Sequence, residues 1–135
     1  MYKYSDLARK IIGVAMRVHR ELGSGFQERI YHRAMEIALS EYFDMVAIEK
    51  KYNVLFESVL VGTFRLDLVV NDTIVVELKA ICGEMPKLFY TQTISYLRAS
   101  GLEVGLLINF GNDSIDVKRF ANYREYDKNK SVQSN

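Results

Sequence analysis

The sequence predicts an α/β domain, a small mixed β-sheet with helices packed against it. Three observations carry this prediction. Two segments with apolar residues at helical spacing open the chain. Runs with strand character follow over residues 46–80. A third helical segment and a nearly all-apolar run come next, an order that places helices on both sides of one sheet.

Residues 5–22, SDLARKIIGVAMRVHREL, set Ile11, Ile12, Ala15, Val18 and Leu22 on one stripe, with Ser5 as the expected N-cap. Gly23, Ser24 and Gly25 end this helix, and two glycines so close predict a left-handed turn residue or a close backbone approach. A second helix is expected over 27–43, with Ile30, Tyr31, Ala34, Met35, Ala38, Leu39 and Tyr42 on its apolar face. After Asp44 the period changes to two. Val46 and Ile48 suit a short strand that Tyr52, Val54 and Phe56 continue. Stronger strands are expected at 60–70 and 73–80, and Asn71-Asp72 between them predicts a tight hairpin.

The single proline, Pro86, fits the first turn of a helix that runs to Ala99 and stops at Gly101. Phe89, Thr93, Tyr96 and Leu97 make only a partial stripe, so this helix is expected to meet core on one side and a cleft on the other. EVGLLINF, residues 103–110, reads as a strand buried on both faces. Ile115, Val117 and Phe120 suggest a last short strand. The expected organisation is one domain over 1–122 and a polar C-terminal tail over 123–135.

Composition bounds the function. The chain has 135 residues, 49% apolar and 26% charged, which is globular and not disordered. A net charge of +1 argues against a dedicated basic wrapper of nucleic acid and leaves room for an enzyme that meets phosphate locally. Nine tyrosines are scattered without the pattern of a base-stacking platform. With one cysteine, Cys82, neither an internal disulfide nor a Cys-rich zinc site is possible, and a reducing, cytoplasmic compartment is expected. Cys82 itself is expected as a small buried hydrophobe. MYKYSDLARK lacks the apolar core of a signal peptide, and no 18-residue apolar run predicts a membrane span.

The stretch TIVVELKA, residues 73–80, places two charges in an apolar strand. Glu77 and Lys79 are two apart and share a face. Asp67, in GTFRLDLVV, lies in the preceding apolar run. A turn centred on Asn71 and Asp72 sets Val76 opposite Asp67 and Glu77 opposite Leu66, which puts the two acids on different faces. A bulge or a longer turn shifts this by one residue. Buried charges are costly unless paired or bound to metal, and neighbouring carboxylates repel. Mg²⁺ commonly takes one or two carboxylates plus water and phosphate, and a lysine beside it serves water attack. Two readings stand at this point: a phosphodiester hydrolysis site, or a solvent-facing charge pair at a strand end.

These residues fall into a wider pattern. GFQERIY carries Gly25, Glu28 and Tyr31, VHRELGSG precedes it, and Asp67 and Glu77-Leu78-Lys79 follow. Gln92 and Tyr96 make a Gln-x-x-x-Tyr spacing ahead of GLLINFG, residues 105–111. Over residues 5–120 the chain resembles the GxxExxY proteins, a branch of the PD-(D/E)XK nuclease-like superfamily. The branch usually carries Gly-Pro-Gly where this chain has Gly23-Ser24-Gly25. The resemblance implies a restriction-endonuclease-like core and Mg²⁺ or Mn²⁺ held by Asp67, Glu77 and Glu28. It further implies that Lys79 assists water attack on DNA or RNA and that Gln92 lines the site. Two alternatives accompany that implication. One is a non-catalytic module that keeps the fold to bind nucleic acid or protein, and the other is an enzyme acting on a different phosphate ester.

Other residues carry smaller expectations. Tyr31 is expected in the core with one hydrogen bond, His19 as a satisfied helix-end histidine and His32 at the surface. Arg65 is expected to be able to pair with Glu28 or Glu77. Lys87 and Arg98 are surface candidates for phosphate contact. Exposed final strands make a homodimer the expected form of self-association.

Overall fold

The computed structural model describes residues 4–122. The polar tail expected from residue 123 onward lies outside the described residues. Two helices come first, α1 (Ser5–Leu22) and α2 (Glu28–Ser40), followed by strands β1 (Val46–Phe56), β2 (Val59–Val70) and β3 (Ile74–Lys79). Helix α3 (Lys87–Ser100) leads to β4 (Val104–Asn109) and β5 (Asp116–Ala121). The strands form one sheet in sequence order, antiparallel except for the parallel β3–β4 pair that α3 connects. This is the α/β architecture expected, a small mixed sheet flanked by helices.

Two apolar layers hold it together. Ile11, Ala15 and Val18 of α1 and Tyr31, Met35 and Leu39 of α2 pack on the face bearing Leu68, Val70, Val76, Leu78, Leu106 and Ile108. On the other face Leu97 of α3 packs with Leu66, Val69, Val75 and Leu102. Phe64 stacks on Tyr96 there, with ring centroids 4.5 Å apart and planes 5° from parallel. β4 is buried at every position, as its apolar sequence predicts for a strand covered on both sides. Among the described residues no helix is long and apolar enough to cross a membrane.

Several boundaries differ from the sequence reading. Tyr4, with φ 53°, is the N-cap of α1; Ser5 is already helical and makes no capping bond. Pro86 is likewise the N-cap of α3 and not a residue of its first turn, and it accepts the Phe89 N–H through its carbonyl. α2 is shorter than the expected span, so Tyr42 falls beyond it, and Tyr42 and Ile30 are exposed. The strand expected to open at Val46 and continue through Phe56 is present as β1. Cys82 is exposed, because β3 ends at Lys79 and residues 81–84 form an open turn around Gly83 (φ 90°).

The GSG turn behaves as read. Gly23 (φ 72°, ψ −176°) and Gly25 (φ 108°) occupy backbone regions that side chains resist. Tyr31 fixes this turn: its hydroxyl donates to the Gly23 carbonyl at 2.6 Å and accepts the Phe26 N–H at 3.2 Å. Its ring is fully buried against Phe110, with centroids 4.8 Å apart. Tyr31 is therefore a core residue with two hydrogen bonds, and it sets the angle at which α2, and Glu28 on its first turn, leave the loop.

Candidate active site

β2 and β3 separate at Asp67 and Glu77. Their ladder contains only Leu68↔Val76, Val69↔Val75 and Val70↔Ile74. One step further, the backbone donors turn to side chains. The Asp67 N–H donates to Glu77 Oε1 at 3.0 Å, and the Leu78 N–H donates to Asp67 Oδ2 at 2.8 Å. Each carboxylate thus takes the place of a carbonyl on the opposite strand, which satisfies backbone donors that burial would otherwise leave costly.

This corrects the register expected from the turn. The loop has three residues, Asn71, Asp72 and Thr73; the first two have φ 53° and 52°. The Thr73 N–H donates to the Val70 carbonyl at 3.0 Å, and its hydroxyl donates to the Asn71 carbonyl at 2.7 Å. The extra turn residue moves every pairing by one, so Asp67 falls opposite Glu77 and not opposite Val76.

The same point is irregular on the other side of β2. Leu66 packs with the α3 layer, whereas Leu68 packs with the α1–α2 layer, although residues two apart share a face in a regular strand. Glu49, opposite Asp67 on β1 between the pairs Ile48↔Leu68 and Lys50↔Leu66, has φ 48°. β2 therefore turns about its own axis at Asp67.

Three further contacts hold the site. His32, four residues after Glu28 on α2, donates through Nε2 to the Asp67 carbonyl at 3.1 Å. The Lys79 ammonium sits 4.4 Å from the centroid of the Phe89 ring on α3. Buried Asn109 clamps the chain just past β3: its Oδ1 accepts the Ile81 N–H (2.9 Å) and the Gly111 N–H (3.0 Å), and its Nδ2 donates to the Ile81 carbonyl (3.0 Å). Gly111 lies so close that a Cβ there would fall 2.1 Å from the Ile81 oxygen, so a side chain at this position would push the clamp apart.

The electrostatics follow from burial. Glu77 is 7% exposed, and desolvation, helped by the Asp67 carboxylate, pushes its pKa up to about 8 against the pull of the Asp67 N–H and Lys79. Asp67 is raised by burial, opposed by the Leu78 N–H, His32 and Lys79. Glu28 stands largely in solvent on the first turn of α2, yet its carboxyl is raised too, first by partial desolvation and then by Asp67, with Lys79 and His32 opposing. Three carboxylates therefore interact with one ammonium, that of Lys79.

Residues 5–120 match the family model of the PD-(D/E)XK nuclease superfamily. The chain belongs to that superfamily. The solved structure of SSO0001 has the same fold, with a TM-score of 0.54 at 21% identity. That match covers 70% of this chain and 50% of SSO0001, so this chain spans about half the length of that relative. No curated protein matches the chain.

The designation PD-(D/E)XK writes an acid followed by an acid-x-lysine triplet, and Asp67 with Glu77-Leu78-Lys79 has that form. The structure brings these together at the strand split. Glu28 approaches from α2 closely enough to interact with both acids, but the described residues include no group of three or more His, Cys, Asp or Glu set to hold a metal. Gln92 is half-buried on α3, three residues after Phe89, and makes no hydrogen bond with Asp67, Glu77 or Lys79. Arg65 is exposed and forms no ion pair with Glu28 or Glu77. His19 is satisfied, as expected at a helix end, through a 2.8 Å contact from Nε2 to the Asn112 carbonyl. His32, expected at the surface, is half-buried against the site, and the sequence signal for it was its i+4 spacing from Glu28. Asn109 had no such signal.

The donor chemistry suits a hard divalent cation. Asp67 Oδ2 and Glu77 Oε1 are committed to backbone N–H groups, which leaves Asp67 Oδ1 and Glu77 Oε2 to offer. Two carboxylate oxygens, with water and substrate completing the shell, are a donor set that Mg²⁺ accepts. An open depression of about 750 Å³ lies apart from these acids, lined by Cys82, Gly83, Asn112, Asp113 and Asp116 among others.

Proposed function

We propose that the chain hydrolyses phosphodiester bonds of nucleic acid with a divalent cation, Mg²⁺ or Mn²⁺, held by Asp67 and Glu77. Within the superfamily we assign it to the GxxExxY branch, on Gly25, Glu28 and Tyr31 as they stand here. One observation carries the reading. Asp67 and Glu77 are inward carboxylates set against each other, with Lys79 as the ammonium beside them, and Glu77 has its pKa raised to about 8. An apolar strand pair gains nothing from that arrangement, whereas a cation between the acids relieves it.

The cation would supply a bound water of lowered pKa and neutralise charge on the phosphate. The residues have their own tasks. Lys79, resting on Phe89, reaches a non-bridging phosphate oxygen and stabilises the charge that grows on it. Glu28 enters the mouth of the site from α2, its carboxyl raised by partial desolvation, and stands where it can take up or give a proton. Gln92 lines the α3 side and orients water or phosphate. The substrate is DNA or RNA, met locally, in keeping with the net charge of +1.

The alternative, a binding module that keeps the nuclease fold without catalysis, has one observation in its favour, the lack of a three-residue metal set among the described residues. Cleavage of labelled single- and double-stranded DNA and RNA in Mg²⁺ or Mn²⁺ separates the two. Wild type is expected to cut, and Asp67→Asn and Lys79→Ala to lose at least about 10²-fold in rate while remaining folded. Calorimetric titration with Mn²⁺ is expected to show a site in wild type that Asp67→Asn removes. No cutting and no ion binding by folded wild type would leave the binding module.

A further inference from the structure

A run of exposed apolar residues lies away from the acids, on the β1–β2 hairpin. β3 accompanies β2 only at Leu68–Val70, whereas β1 and β2 stay paired out to Phe56↔Val59. The outer hairpin is a two-stranded arm without a third strand. Its base is anchored where Tyr52 stacks on Phe64 and Phe64 on Tyr96 of α3. Its tip is a tight turn in which Glu57 and Ser58 both have positive φ, 47° and 67°, the backbone of a well-formed hairpin.

Beyond the anchor the arm carries Leu55, Phe56, Val59, Leu60 and Val61, exposed by 62%, 64%, 63%, 57% and 59%. Cross-strand pairing puts Leu55 with Leu60 on one face and Phe56 with Val59 on the other, after a register shift at Val54/Leu55. Both faces are therefore apolar. A hairpin built for solvent keeps one polar face, and two strands alone are marginal in water.

We propose that this arm is the surface through which two copies of the chain associate, each packing its Leu55, Phe56, Val59, Leu60 and Val61 against the arm of the other. The inference is independent of the hydrolytic reading. Area supports a second copy: the five side chains expose on the order of 500–600 Å² per copy, so two arms that wrap both faces of one another bury at most roughly 1,000–1,200 Å², the size of a small, readily dissociating interface. An isologous contact needs one self-complementary patch, and an apolar arm is that. A chain charge of +1 opposes self-association only weakly. The outer edge of β1, the terminal strand of the sheet, adds unpaired backbone groups on the same side. Among residues 53–62 the one charge is Glu57. The cations nearest the tip, exposed Lys51 and Arg65, pair across the base of the arm and lie outside the apolar patch, so the patch itself offers a partner no charge but Glu57. The self-association expected from the final strands moves accordingly: β5 is mostly half-buried, and the free apolar surface is at the other edge.

Light scattering after size exclusion tests this at concentrations up to on the order of 100 µM. Wild type is expected at twice the chain mass. Phe56→Asp combined with Leu60→Lys is expected to run as a monomer, with a dimer dissociation constant raised at least about tenfold. Leu88→Asp, at an equally exposed apolar position on α3, is expected to stay dimeric. If the double variant does not fold by circular dichroism, Leu55→Lys alone carries the comparison. A monomeric wild type across the range, or a dimer that the arm variants leave intact, overturns the proposal. Arm variants that keep the wild-type mass but lose binding to a duplex DNA probe would make the arm a nucleic-acid wedge, which also overturns it.

Discussion

The two halves of the β2–β3 hairpin satisfy the same backbone in different ways. Near the turn, Leu68–Val70 and Ile74–Val76 pair through a regular ladder and bury six apolar side chains. One step on, Asp67 and Glu77 take over the ladder with their own carboxylates, and the strands part. The first half is stabilised by burial of apolar area. The second keeps its hydrogen bonds but holds charged groups in partial desolvation, which works against stability. The difference shows how a small sheet carries chemistry: the apolar half anchors the strands, and the acidic half uses that anchoring to keep two repelling groups at a fixed separation.

The largest effect should come from weakening the anchor. Leu68 is fully buried between β2 and the α1–α2 layer. Leu68→Ala is expected to cost about 2–5 kcal/mol in urea denaturation, through lost burial and a residual cavity. A cost below about 1 kcal/mol would mean that the sheet closes over the gap, and that the apolar half is not the anchor.

The acidic half should respond to pH, and with a definite sign. Glu77 goes from an ordinary value of 4.5 to about 8 on folding, so the folded chain binds more protons than the unfolded chain between those values. Stability is then full below pH 4.5 as far as this group is concerned, and it is lost as pH rises through about 8. Asp67 and Glu28 are raised and act in the same direction. In chelator the melting temperature is expected to fall by on the order of 5–10 °C between pH 5 and 8.5. Glu77→Gln keeps an acceptor for the Asp67 N–H and should flatten most of that fall. Adding Mn²⁺ at pH 8 should restore part of it to wild type and none to Glu77→Gln. A wild-type profile that rises over this interval would contradict the buried, mutually repelling pair.

The apolar half was readable in sequence and the acidic half only in part. Val69, Val70, Val75 and Val76 announce buried strands by composition, and Asn71-Asp72 announces a turn whose residues do have positive φ. Sequence and structure part at Thr73. A β-branched residue reads as strand, but its hydroxyl closes the turn on Asn71, and that one residue decides whether the acids face each other. Glu77 and Lys79 were visible as charges out of place. The twist at Asp67 and the positive φ of Glu49 were not, because nothing in a strand sequence marks a mid-strand turn about its axis. His32 and Asn109 escaped for another reason. Asn109 acts on backbone groups alone, which look alike in every sequence, and His32 is marked there only by its i+4 spacing from Glu28.

The smallest effect tests the joint between the two halves. His32 is the one side chain from α2 that bonds the backbone of Asp67, at 3.1 Å in a half-buried setting. His32→Ala removes that donor, and the Asp67 carbonyl is left to water or to nothing. The expected cost is about 0.5–1.5 kcal/mol, well below that of Leu68→Ala, because the carbonyl lies near the mouth where water can reach it. His32→Gln, which keeps an amide donor at similar reach, should recover part of the loss. Asp67→Asn leaves the carbonyl in place, so the His32 hydrogen bond survives it. In denaturation at pH 8, double-mutant coupling between His32→Ala and Asp67→Asn is expected below about 0.5 kcal/mol if His32 acts through the backbone alone. Coupling above about 1 kcal/mol would show that the pull of His32 on the Asp67 carboxyl, and not its bond to the backbone, is its main contribution at the strand split.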